Sequence, residues 1–213
     1  MKIVKKYLKS LQYYPGEFPK KQIFLHHTSG SSALSALSWW DQTPDHIGCA
    51  YLIERDGTII EAFEPERWAY HLGANSSALE KSSIGIELVS RGRLFKEGEN
   101  YIFYPALPLK KLPKIVPPDQ VEILKSPWKD FLYYEKYTDD QILALLELLD
   151  HLIGKFNIKV QDDISDFLEY NPLIISQGLN GIWAHTSVRK DKSDLFPQPS
   201  LIEALTDHFP PKI

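Results

Sequence analysis

Cysteine is nearly absent from this chain, with Cys49 the only one in 213 residues. No disulfide can form within it, and a zinc site built on two or more thiolates is excluded. Any metal must be held mainly by His, Asp or Glu. Long apolar runs are missing too, and nothing approaches the roughly 18 residues of a membrane helix. Positive charge is not in excess: 24 Lys and Arg face 28 Asp and Glu, for a formal net charge of −4. That excludes the basic field of a nucleic-acid binder and a polybasic membrane anchor. Internal repeats and low-complexity tracts are lacking. Met1 to Tyr7 carries charge without an apolar run of signal-peptide length, so synthesis in the cytoplasm is expected.

What remains is an ordinary globular balance, 43% hydrophobic and 24% charged. The length suits one large domain, or one domain with an insertion. Ile23 to His26 reads as a buried strand, and Ser31 to Trp40 carries apolar residues at helical spacing. Ala50 to Ile53 and Thr58 to Phe63 flank Arg55-Asp56-Gly57, a hairpin signal with positive φ expected at Asp and Gly. Ser83 to Val89 is another buried strand, and Ile182 to His185 a short one. Asp139 to Phe156 is the clearest helix, with Thr138 and Gln141 as a capping box and an Ile142, Leu145, Leu146, Leu149, Leu152 stripe. A last helix is expected from Ser200, capped by Glu203, to about His208. Residues 91–136 are rich in Pro, Lys and aromatics and too long for a plain connection, so they read as an insertion. The expected fold is a single α/β domain: a mixed central sheet flanked by helices, with core segments at about 14–90 and 137–208.

Three histidines close apolar strands: His26 and His27 before the polar Thr28-Ser29-Gly30, and His185 after Ile182-Trp183-Ala184. Lys192 and Asp194 follow within ten residues of His185. Two histidines from separate strands and one carboxylate commonly hold catalytic zinc, leaving a fourth position for water. One such histidine alone is more often a packed residue than a ligand; the combination raises the metal reading. Glu87 shares its strand face with Gly85, which leaves it facing either solvent or a site. Trp39-Trp40 reads as one rim and one core residue, and Cys49 as a small apolar strand residue. His46, His151 and His208 have no case as ligands.

Five pieces now stand in order: IFLHHT from Ile23, AYLIERDGTI from Ala50, WAYHLG from Trp68, SIGIELV from Ser83, and His185 through Lys192-Ser193-Asp194 with Pro197 after it. Together they resemble the type 2 N-acetylmuramoyl-L-alanine amidases, relatives of peptidoglycan recognition proteins and of amidase-type phage lysozymes. The resemblance spans about residues 14 to 208. It implies one zinc ion on His26, His185 and Asp194, with Lys192 stabilising the transition state and Glu87 as the catalytic acid. It also places a histidine beside the groove at His71, with Trp68 next to it; His71 reads as contacting substrate or supporting the ligands, with a packed histidine the alternative, and His27 as structural or supporting the ligands. The chain departs from the family where Cys49 replaces a catalytic Tyr and Ala50 a His, which moves the acid/base burden to Glu87. The His185 to Asp194 spacing is also slightly short.

The implied substrate is peptidoglycan or a muropeptide, cut between N-acetylmuramic acid and L-alanine. With no signal run and no appended wall-binding repeat, the expected role is a phage or prophage endolysin released by a separate partner. A recycling amidase in the cytoplasm, a non-cutting recognition module and a zinc hydrolase of another amide stay open. The insertion is expected to wall the groove or meet a partner.

Overall fold

The computed structural model describes residues 2–9, 12–105 and 112–212; residues 106–111, including Pro108 of the insertion, lie outside them. In chain order the strands are β1 (Ile3–Lys5), β2 (Gln22–His27), β3 (Tyr51–Ile53), β4 (Ile59–Glu61), β5 (Ser83–Leu88), β6 (Arg93–Glu97), β7 (Asn100–Phe103), β8 (Lys114–Val116), β9 (Val121–Trp128), β10 (Phe131–Glu135) and β11 (Gly181–Ala184). The α-helices are α1 (Ala33–Trp40), α2 (Ser77–Ser82), α3 (Asp139–Phe156), α4 (Pro172–Gln177), α5 (His185–Val188) and α6 (Pro199–His208).

Six strands form the central sheet in the order β1-β4-β3-β5-β2-β11, and the insertion builds a second sheet in the order β8-β7-β6-β10-β9. The central sheet is mixed: β3 and β4 pair antiparallel while β5, β2 and β11 run parallel side by side. This is the α/β architecture read from the sequence. No helix among the described residues is long and apolar enough to cross a membrane.

Side chains alternate across a strand, so each strand divides its residues between two faces. On one face Ile23, Leu25, Ile84, Ile86 and Ile182 join the main core with Leu145, Leu148, Leu149 and Leu152 of α3. Each such fully buried aliphatic side chain contributes about 1.5–3 kcal/mol. On the other face Phe24 and Trp183 pack with Leu72, Leu79, Ile174 and Val188 in a smaller cluster. The ends of the same strands carry the site, so two apolar layers clamp it from both sides.

Helix α3 begins at the expected capping box. Gln141 does more than cap: its Nε2 donates to the carbonyls of Ile53 and Val89, both at 3.0 Å. It thereby ties the helix start to the ends of β3 and β5. The apolar stripe differs by one position, because Leu148 is buried and Leu146 only partly so.

Two local expectations are corrected. The Asp-Gly turn has positive φ at Gly57 alone, 78°. Glu54 N–H donates to Thr58 O and Gly57 N–H to Glu54 O, both 2.9 Å, which makes a longer loop with a left-handed glycine. The Asp56 carboxylate instead accepts from Thr58 N–H at 3.0 Å. The last helix starts at Pro199, with Gln198 as N-cap and no side-chain capping bond, so Glu203 is not its reciprocal cap. Gln198 is committed elsewhere: its amide exchanges hydrogen bonds with the Tyr137 backbone at 2.7 and 2.9 Å.

Lys20 is an unexpected buried cation. Its Nζ donates to the carbonyls of Arg67 and Lys81 at 2.7 Å and Ser83 at 3.1 Å, stitching the chain before β2 to the α2–β5 junction. Burial pushes its ammonium down from 10.5 to about 7. Between those values the unfolded chain keeps a proton that the native state releases, so stability from this group rises with pH across that window. Denaturant unfolding of the wild type and Lys20→Met should therefore diverge by up to about 1.4 kcal/mol per pH unit above neutrality. A pH-independent difference would mean that the three carbonyls hold the proton on.

Candidate active site

Strand register explains why distant residues meet. His26 on β2 lies level with Glu87 on β5, and Leu25 lies level with Ala184 on β11. His185, one residue past β11, therefore arrives at the height of His26. The three belong to the same face at the carboxyl ends of neighbouring parallel strands, the place where open α/β sheets bind ligands. His27 alternates to the other face, where its Nδ1 meets the Tyr137 hydroxyl at 3.0 Å.

His26 Nδ1, His185 Nδ1 and one Asp194 oxygen form a triangle with sides of 3.2, 3.0 and 2.9 Å. Tetrahedral bonds of about 2.0–2.1 Å separate ligands by roughly 3.3 Å, so this donor set fits a single small cation. The shorter spacing from His185 to Asp194 does not prevent convergence. Asp194 is buried, yet the two imidazoles beside it hold its carboxyl well below the usual carboxylate range. Burial lowers His26 and favours its neutral, ligating form.

The outward ring nitrogens are also placed. His185 Nε2 lies 2.8 Å from Leu72 O, which fixes a proton on Nε2 and a lone pair on Nδ1. His26 Nε2 lies 3.0 Å from His71 Nδ1, and His71 Nε2 lies 2.8 Å from Ser83 Oγ. This chain of partners orients the first imidazole in the same tautomer. Gly85 makes it possible, because a Cβ there would fall 2.7 Å from Cys49 Sγ and 3.0 Å from His71 Nδ1. Glu80, buried, accepts from the backbone N–H groups of His71, Leu72 and Gly73 at 2.9–3.2 Å. It sets the position of the Leu72 carbonyl.

Among the described residues a second grouping, His26, Cys49 and His71, could also hold a metal. Its chemistry is poorer: burial pushes the Cys49 thiol well up, and the His26–His71 contact is already a hydrogen bond.

A cleft of about 570 Å³ opens over the triangle, and His71, Glu87, Lys192 and Asp194 line it. Glu87 thus faces the site rather than bulk solvent. Its Oε2 is buried without a hydrogen-bond partner, and Oε1 lies 3.8 Å from Cys49 Sγ. Burial first, then the Asp194 charge, pushes the Glu87 carboxyl up to about 8. Trp68 does not line this cleft; it is 7% exposed and stacked on Tyr14 with ring centroids 4.1 Å apart. Tyr70, two residues on, lines the cleft, with the exposed Trp39 and the buried Trp40. Arg189 also lines it and pairs with Asp191, Nε to Oδ1 at 3.0 Å. Sequence reasoning missed Tyr70, Arg189 and Glu80. Alternation with the buried Ala69 gives Tyr70 and Trp68 the same face and so no signal between them; Glu80 carried none either, because its partners are backbone groups. Among the described residues, none of the insertion lines the cleft.

A family model described as N-acetylmuramoyl-L-alanine amidase matches residues 17–199. No curated protein matches. Among solved structures, PlyL aligns with 12% identity and a TM-score of 0.54, covering 97% of this chain and 93% of its own. The endolysin amidase LysCS from Clostridium intestinale URNW aligns with 16% identity and a TM-score of 0.51, covering 96% and 95%. The E. coli amidase AmiD, solved with anhydro-N-acetylmuramic acid-L-Ala-D-gamma-Glu-L-Lys, has 18% identity and a TM-score of 0.53; 89% of this chain matches 59% of AmiD. At such identities the structural likeness is one of fold, whereas the family match runs through both strand-end histidines and on past Asp194. By that match this chain belongs to the N-acetylmuramoyl-L-alanine amidase family and is an amidase of that activity.

Proposed function

We propose that the protein is a zinc-dependent peptidoglycan hydrolase with the metal on His26, His185 and Asp194, and that it serves as a phage or prophage endolysin. The observation that carries the zinc reading is the triangle of donor atoms no more than 3.2 Å apart, with each imidazole turned by a partner on its far nitrogen. Zinc there supplies Lewis acidity toward the scissile carbonyl and acidifies water. Glu87, at the height of His26, acts from its ionised form: it takes a proton from the attacking water and returns it to the departing alanine nitrogen. Lys192, on the rim, stabilises charge on the carbonyl oxygen as the amide turns tetrahedral. His71 and the Leu72 carbonyl hold the two imidazoles, and His71 also borders the bound substrate. The exposed faces of Trp39 and Tyr70 give the sugar end an apolar wall.

The endolysin role is supported by likeness to LysCS, and the muropeptide substrate by likeness to AmiD. The test is digestion of purified sacculi and soluble muropeptides, with products identified by mass spectrometry. The expected product is free stem peptide beginning with L-alanine, lost on chelation and restored by zinc. Binding without cleavage by zinc-replete protein would reduce the chain to a recognition module. Cleavage of soluble fragments alone would replace the lysis role with wall recycling.

A further inference from the structure

The described part of the insertion reaches the active site without entering the cleft. Its contacts fall on the backbone of the loop that carries Lys192 and Asp194. That loop follows α5 as irregular chain, and among the backbone bonds of described residues it holds only Lys192 N–H to Arg189 O at 3.2 Å and, at its far end, Gln198 N–H to Phe196 O at 2.9 Å. Its geometry is therefore set from outside. The Trp128 indole N–H donates to Ser193 O at 3.2 Å, and Lys129 Nζ donates to Lys190 O at 2.8 Å. Both residues stand at the tip of the β9–β10 hairpin. Just beyond Asp194, the Phe196 ring stacks on Tyr134 and Tyr137 with centroids 4.4 and 4.6 Å away. The Tyr134 hydroxyl closes the circuit, donating to Trp128 O at 2.6 Å.

The tip is conformationally demanding. Trp128 pairs with Phe131, and Lys129 and Asp130 between them have φ of 48° and 71°. Two positive-φ positions suit Asn-Gly, and a Lys-Asp pair sits there against its preference. Strain of this kind is kept where surrounding contacts over-determine it.

We infer that the β9–β10 hairpin is a brace for the catalytic loop, with Trp128 and Lys129 as positioning residues that hold Asp194 and Lys192 in register with His26 and His185. This rests on the zinc-amidase reading. Ser193 is adjacent to Asp194, so releasing its carbonyl frees the third ligand while the two histidines stay on their strands. The lysine follows, because its backbone lies between the two clamped carbonyls.

The test uses the full chain with Trp128→Phe, which keeps an aromatic ring and loses the N–H donor, and Lys129→Met. Zinc affinity is read by competition with a chromophoric chelator, and kcat and KM on a purified muropeptide. Zinc binding should weaken about ten-fold, the usual scale for lost outer partners of a metal site. The kcat should fall with KM unchanged, and Lys129→Arg should restore both. Ile115→Ser, on the exposed part of the same sheet, should alter neither. Wild-type zinc affinity and kcat in both folded variants would overturn the brace, even if melting temperature dropped. A wild-type protein that binds no zinc and cuts no muropeptide would overturn the underlying reading as well.

Discussion

Asp194→Ala is expected to abolish zinc binding and reduce muropeptide cleavage to background. The substitution cuts the ligand set from three to two and removes its only anion. It leaves His26 and His185 Nδ1 facing each other at 3.2 Å with nothing between them. Binding to the native state alone stabilises by RT ln(1 + [L]/Kd), about 4 kcal/mol at a thousand-fold excess. For a chain of this size that raises the wild-type melting temperature by on the order of 10 °C. The variant should show no such rise. An undiminished rise would place the metal elsewhere, with His26, Cys49 and His71 the next candidates. Cys49→Ser would then remove it.

Glu87→Gln and Lys192→Ala should act on turnover and spare the metal. Losing a positioned proton carrier commonly lowers rate by about 10²–10⁴, and losing one donor to a developing oxyanion by about 10²–10³. Neither side chain belongs to the donor triangle, so zinc affinity should stay within a few-fold of wild type. The glutamate case is the sharper one. The resemblance puts Cys49 in place of a catalytic tyrosine; its thiol lies 3.8 Å from Glu87, and burial pushes it well up, so it is a poor acid. On the proposed reading the acid/base work then falls on Glu87. Full activity in the Glu87→Gln protein would sink that assignment; zinc loss accompanying rate loss in Lys192→Ala would recast the lysine as structural.

How much of this was legible beforehand depends on the range of the interactions. Local patterns carried the central strands, α1, α3 and the hairpin at Asp56-Gly57, because alternation, helical spacing and capping act over a few residues. The ordered motif pieces carried the family, and with it the candidate ligands. Trp68 and Tyr70 fall on the same side of their segment, so alternation does not separate them; Trp68 is buried by its stack on Tyr14, and Tyr70 is the one that lines the cleft. The insertion could be delimited by its composition, but its five-stranded sheet and its seat on the 190–193 backbone could not. Those contacts are indole and ammonium donors meeting carbonyls, and every residue type offers a carbonyl.

The sequence by itself determined the class, the family and which side chains could bind metal or move protons. Those properties reside in residue identity and short spacing. Tertiary structure alone decided that His26, His185 and Asp194 converge, that Glu87 faces the cleft, and that Glu80 and Trp128 support the site from behind. Convergence depends on the register of three parallel strands and on backbone hydrogen bonds between segments far apart in the chain, which leave no periodic trace in the residues that make them.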